Sequence, residues 1–194
     1  MALRRIAQLG EPVLRQHARE LSLDELRSPE IQRLIEDMIE TMRDADGAGI
    51  AAPQVYASMQ LAVIEVRENP RYPNVEPIPL TVLVNPVLTP AVPSLPGALA
   101  DADAFSVYEG CLSVPGIRGR VRRPRRVHVR ALDRHGAPLE FTWEGFRAVV
   151  VQHETDHLWG TLFVDRADPL TLTFLREYER HVPVASRLVD GAAD

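Results

Sequence analysis

Apolar side chains recur at Ile31, Leu34, Ile35, Met38, Ile39 and Met42, the 3,4 spacing of a helix with one buried face. Ser28-Pro29 opens this stretch with a hydroxyl cap and a proline at the first helical position, and Asp46-Gly47 breaks it. A shorter helix is expected over Pro12–Glu20. Residues 60–66, QLAVIEV, and 80–85, LTVLVN, are apolar runs that read as buried strands. Residues 126–132, RVHVRAL, alternate polar and apolar, Asp133–Ala137 turns the chain, and LEFTW alternates back, which predicts a hairpin. Gly145–Leu158 reads as a helix closed by Gly160. A last amphipathic helix is expected from Pro169 to His181, with Leu172, Leu175 and Tyr178 on one side. Eight of the 16 prolines lie between Pro70 and Pro96, so residues 68–106 read as strands joined by stiff, irregular insertions. Strands in the middle with helices before and after predict an α+β fold, its antiparallel strands packed around the Gly145–Leu158 helix.

A chain of 194 residues is expected to form a single domain, 1–194, with a frayed tail from about residue 183. A hydrophobic content of 45% against 25% charged residues excludes a disordered chain. No apolar run approaches the ~18 residues of a membrane span, and the start MALRRIAQLGEP lacks the apolar stretch of a signal peptide. The net charge of −5 argues against a nucleic-acid protein as a whole. All 22 cations are arginine, which excludes Schiff-base chemistry and a phosphate-loop lysine. Cys111 is the one cysteine, so no intramolecular disulfide forms, as suits a reducing cytoplasm.

Chemistry concentrates in three segments. The first is Gln152-His153-Glu154-Thr155-Asp156-His157, an H-E-x-x-H motif inside a predicted helix. Histidines at i and i+4 share one helical face and can reach one metal ion, with the intervening glutamate placed to hydrogen-bond a water. The residues leave the third ligand open. The extended motif fails because Phe163 stands where its last histidine belongs, leaving Glu177 or Glu179 further along, or Cys111, as candidates. The second segment, Glu109-Gly110-Cys111-Leu112-Ser113, is followed by Val114-Pro115-Gly116 and reads as loop rather than core. The third, Gly47-Ala48-Gly49-Ile50-Ala51-Ala52-Pro53-Gln54, lets a ligand approach its glycines and places an amide donor at Gln54.

Together the segments resemble the three motifs of the peptide deformylases, G-x-G-x-A-A-x-Q, E-G-C-L-S and Q-H-E-x-D-H, in the same order. Gly10–Arg15 and the stretch after Val114 resemble the bacterial form, and the likeness runs from about Ile6 to Asp165. The resemblance implies a metal held by Cys111, His153 and His157, with Fe²⁺ first and Zn²⁺ or Ni²⁺ as substitutes. It implies Glu154 as general base and acid, with Gln54 and the Leu112 N–H holding the oxyanion. It also implies N-formyl-methionyl peptides as substrates, bound along Gly49 and Gly110 beside Arg118. The methionine pocket would then be formed by Phe146, Val149 and Val150. Three features depart from the family pattern: Ala48 in place of Ile or Val, Trp159 in place of Asp or Asn, and a long span from Thr89 to Tyr108.

Two rival readings remain. A metallopeptidase would use Glu177 or Glu179 as ligand and leave Cys111 without a task. An RNA-binding protein would use the eight arginines packed between Arg118 and Arg134, although Arg126, His128 and Arg130 alternate as a solvated strand face. An enzyme that docks transiently at the ribosome, through its last helix, is compatible with the deformylase resemblance. No membrane and no specific nucleic acid is expected as a partner.

Overall fold

The computed structural model describes residues 2–67, 76–91 and 103–183. A 3-10 turn, Pro12–Arg15, leads to the short helix α1 (Leu23–Leu26), where the Glu25 N–H donates to Ser22 Oγ and the Ser22 N–H donates back to Glu25 Oε2. The continuous helix expected over Pro12–Glu20 does not form. Its backbone is engaged elsewhere: the Ala18 N–H donates to Leu158 O at 2.8 Å, and Arg19 O accepts from Gln60 N–H at 2.7 Å. These tertiary bonds override a weak local propensity.

Helix α2 (Pro29–Asp44) follows the pattern, with the Ile31 N–H donating to the Ser28 cap at 3.3 Å. Strands β1 (Gly49–Ala51), β2 (Leu61–Val66) and β3 (Ile78–Pro90) come next, with a 3-10 turn at Ala52–Val55. Then follow β4 (Ala104–Cys111), β5 (Val114–Pro124), β6 (Arg126–Leu132) and β7 (Pro138–Glu144). Helices α3 (Phe146–Leu158) and α4 (Phe163–Arg166), strand β8 (Thr173–Phe174) and helix α5 (Leu175–His181) complete the described chain.

Five strands form one antiparallel sheet in the order β1-β2-β3-β6-β7, and three form another, β4-β5-β8. Within β2, Leu61 and Val63 pack toward Ile35, Met38 and Met42 of α2. Ile64 packs with Ala148, Val150 and Val151 of α3. Helices on both faces of β2 explain why Leu61–Ile64 is an unbroken apolar run, which ends at Glu65 paired with Arg43. A third cluster joins Leu14, Val114, Val121, Leu162 and Phe163 to Cys111. Helix α3 is therefore enclosed, every residue from Ala148 to Leu158 buried, with the strands packed around it as expected.

Three expectations change. The last helix is cut to Leu175–His181, because Thr173 and Phe174 pair with Arg118 and Ile117 at the edge of β5. The segment around Gly110-Cys111 is the buried end of a strand rather than a loop, paired through Cys111↔Val114. The prolines do not confine themselves to loops: β3 runs through Pro79 and Pro86 to Pro90. Most of the insertions at 68–106, and the tail beyond residue 183, lie outside the described residues. Among the described residues no helix is long and apolar enough to cross a membrane.

Candidate metal centre

Helical spacing places His153 and His157 one turn apart on α3, their rings 5.1 Å apart and crossed at 77°. The tight turn between β4 and β5 delivers Cys111 to the same point. Its sulfur lies 3.2 Å from His157 Nε2, and one donor atom from each of the three residues lies within 4.8 Å of the others. Phe163, where the extended motif would need a histidine, stacks on His153 at 6.2 Å. Glu177 lies on α5 and pairs with His181 at 3.4 Å, and Glu179 is on the same helix; neither joins this group.

The neighbours orient the ligands. His153 Nδ1 is 2.9 Å from Glu109 Oε2, which turns Nε2 toward the other two donors. Arg123 grips Glu109 with two bonds, at 2.7 and 2.9 Å, and donates a third to Asp156 at 2.6 Å. Arg166 donates two more to Asp156, both 2.7 Å. Gln54 cannot flip: its Oε1 accepts from the Ala51 N–H at 2.8 Å. Its Nε2 consequently donates to Ser113 Oγ at 3.1 Å and faces Cys111 Sγ at 3.5 Å. The Ser113 N–H also points at that sulfur, at 3.4 Å.

These contacts set the charges. Burial opposes a thiolate at Cys111, but His157 and His153 beside it hold the thiol well below its usual range. Burial likewise opposes a cationic His153, yet Cys111 and Glu109 hold it well above. Glu109 is drawn down to about 2: burial works against this, and Arg123 and His153 prevail. Glu154 behaves oppositely, since burial dominates and pushes its carboxyl up to about 7.

Gly49 is glycine because Glu154 occupies the space of its side chain; a Cβ there would meet Oε1 at 2.5 Å. A Cβ on Gly110 would collide with the Arg118 guanidinium, and one on Gly47 would meet Leu112 Cδ1 at 2.9 Å. Among the described residues, Glu154 Oε2 is buried without a protein partner, next to the ligand His153. Buried polar atoms normally have partners, so this oxygen marks a place built for something beyond the described chain. One sulfur and two imidazoles fit a divalent first-row metal there.

Of the expected pocket residues, Phe146 and Val150 pack into the core that α3 shares with β6, along with Ala48, while Val149 is buried outside the main clusters. Trp159 is 53% exposed and packs on His17 at 4.3 Å. The arginine-rich stretch is partly neutralised: Arg123 is buried in its ion pairs, Arg126 pairs with Glu144 and Arg134 with Glu36. Local sequence patterns assign no part in the site to Glu109, Arg123, Asp156 and Arg166. A signal exists for two of them, since Glu109 and Arg123 stand in the inward phase of β4 and β5, where Phe105, Cys111 and Val121 are apolar.

The family of polypeptide deformylases matches residues 3–172. A peptide deformylase of Leptospira biflexa is 41% identical over 191 residues, covering 98% of this chain and all of the relative. Peptide deformylase 1 of Nitrosomonas europaea is 42% identical over 173 residues, 89% of each chain. Among solved structures, the class I type b enzyme of Acinetobacter baumannii bound to Met-Ala-Ser is 39% identical with a TM-score of 0.76, covering 85% of this chain and 98% of that one. The actinonin complex of a Synechococcus elongatus peptide deformylase has a TM-score of 0.68 at 38% identity, covering 84% of this chain and 78% of that one. Likeness over nearly the whole length, in a chain whose Cys-His-His cluster sits beside a buried glutamate, has one meaning: this chain belongs to the polypeptide deformylases, metal-dependent hydrolases that remove the formyl group from nascent peptides.

Proposed function

We propose that Cys111, His153 and His157 hold one divalent cation and that Glu154 carries the proton when N-formyl-methionyl peptides lose their formyl group. The observation that carries this is the meeting of three ligand atoms within 4.8 Å beside a buried carboxylate that lacks a protein partner. When bound, the cation supplies Lewis-acid polarisation of the formyl carbonyl and the attacking water. Glu154 accepts a proton from the water and returns it to the amine nitrogen as the C–N bond breaks, leaving formate and a free amino terminus. Before a cation binds, burial raises the Glu154 carboxyl to about 7, the direction that suits a group taking and returning a proton near neutral pH. The Gln54 amide, its donor end fixed by Ala51, and the Leu112 N–H stabilise the oxyanion.

Among the described residues β1 and β4 are edge strands of their two sheets, so Gly49 and Gly110 offer backbone to an extended peptide, with Arg118 beside it. Phe146, Val149 and Val150 wall the methionine side chain. The Acinetobacter relative carries Met-Ala-Ser, a peptide of the expected product class. Fe²⁺ is the first candidate, with Zn²⁺ or Ni²⁺ as substitutes; sulfur and imidazole ligands suit all three. A thiolate ligand that must stay reduced supports a cytoplasmic location, and nascent chains as substrates imply transient encounters with the ribosome.

The test is amine release from formyl-Met-Ala-Ser by anaerobically prepared, iron-loaded protein. Glu154→Gln is expected to lower the rate about 10²–10⁴-fold, and Cys111→Ala to lose the metal. Iron-loaded protein is expected to decay in air faster than zinc- or nickel-loaded protein, because ferrous iron and thiolate are both oxidisable. No release from a folded, metal-loaded parent would overturn the reading.

A further inference from the structure

The charges around Asp156 form a chain that ends at the ligand His153. Glu109 and Asp156 are both buried, and Arg123, 3% exposed, lies between them. These three groups alone carry one net negative charge in a dry site. Arg166, from the last residue of α4, brings the second positive charge and binds both Asp156 oxygens. Arg123 has five N–H donors, two of them on Glu109 and one on Asp156. With Arg166 in place, Asp156 needs only one of those donors. Without it, Arg123 would be the one arginine left to serve two buried carboxylates, and every shift toward Asp156 would loosen its fork on Glu109. Glu109 in turn holds His153 Nδ1, which sets where Nε2 points.

We propose that Arg166 is a positioning residue of the metal centre: by neutralising Asp156 it keeps Arg123 on Glu109, and so keeps His153 aimed at the cation. The inference rests on the metal site assigned above. Arg166 makes no contact with the ligands, so its effect travels through two ion pairs. The loss of metal affinity on removing it should fall near the low end of the 10–100-fold typical of outer partners.

α4 supplies its own control. The neighbouring Asp165 pairs with Arg15, and the Arg15 and Arg166 side chains are about equally exposed. If α4 mattered only as a packed helix, cutting either tie would have the same effect. The experiment titrates Co²⁺ and Zn²⁺ against a competing chelator for the parent, Arg166→Gln, Arg166→Lys, Arg15→Gln and Cys111→Ala, and records the sulfur-to-cobalt absorption of each.

Arg166→Gln is expected to bind metal about tenfold more weakly with an altered cobalt spectrum. Arg166→Lys, which keeps the charge, should recover most of the loss, and Arg15→Gln should match the parent. Parent-like affinity and spectrum in Arg166→Gln, or an equal loss in Arg15→Gln, would overturn the inference. Should Arg166→Gln fail to fold, the double variant Asp156→Asn/Arg166→Gln decides against Asp156→Asn alone: a folded double variant with the affinity and cobalt spectrum of the single one means Arg166 is needed only against the Asp156 charge and supports the inference, and a double variant that stays unfolded or binds about tenfold more weakly refutes it. Parent protein that binds no more metal than Cys111→Ala would instead refute the metal-site assignment.

Discussion

Two arginine-rich hairpins lie side by side in this chain and use their charges in opposite ways. In β6–β7 the charges point to solvent: Arg126 pairs with Glu144 and His128 with Glu140, while Val127, Val129 and Ala131 face the core. Its register runs without a slip from Arg126↔Glu144 to Leu132↔Pro138. In β4–β5 the register shifts between Glu109 and Cys111, and the inward face carries Glu109, Cys111 and Arg123 among its apolar residues. The first hairpin is alternation that water and core jointly enforce. The second breaks the same rule, and the break coincides with the candidate metal centre. A charge in the apolar phase of a strand is costly to bury unless it is paired, so it marks a place where the fold gives up local stability to hold something.

The largest contrast is expected from removing one arginine in each hairpin. Arg123→Leu strands Glu109 and Asp156 without their shared cation, and removing one partner of a buried pair costs about 3–5 kcal/mol. Arg126→Leu breaks an exposed pair worth about 0.2–1 kcal/mol. Urea unfolding of the two variants measures the gap, and equal losses would erase the distinction between the hairpins. Glu109→Gln sharpens it further. The fold keeps a side chain of the same size, while His153 loses its carboxylate, and metal affinity should fall about 10–100-fold. Chelator competition reads this directly, and parent-like affinity would mean that Glu109 is structural only.

The smallest effect belongs to the β6–β7 turn. The Asp133 carboxylate is held below its ordinary value of 3.8: partial burial opposes this, but the N–H groups of Ala137 and His135 outweigh it. A carboxylate depressed in the folded state stabilises above its unfolded value and loses that contribution as pH falls through the folded one. Parent protein should therefore exceed Asp133→Asn in stability above about pH 4, by well under 1 kcal/mol for so accessible a group, with the gap closing in stronger acid. Melting temperatures from pH 7 to pH 2.5 test it, and a gap that widens in acid would reverse the sign.

Much of this was legible in the order of residues. The 3,4 stripe of α2, the period-two runs of β6 and β7 and the boundaries of α3 are local patterns, and each element formed nearly where its pattern predicts. The i, i+4 histidines needed only a helix to meet. Failures came where distant segments competed for backbone. Residues after Arg15 gave up a helix to bond Leu158 and Gln60, and Thr173-Phe174 left the last helix to pair with β5.

By itself, then, the sequence determined helices α2 and α3, the β6–β7 hairpin, the α+β class and the three segments that carry chemistry, because side-chain periodicity and helical spacing are properties of neighbours. Only the tertiary structure decided that Cys111, 42 positions before His153, completes the cluster while Glu177 and Glu179 stay away. It alone brought Glu109, Arg123, Asp156 and Arg166 into one chain of charge. The reason is electrostatic: a charge is tolerated in a dry interior only beside its opposite, and the partner is supplied by whichever strand or helix packs there, wherever that element falls in the sequence.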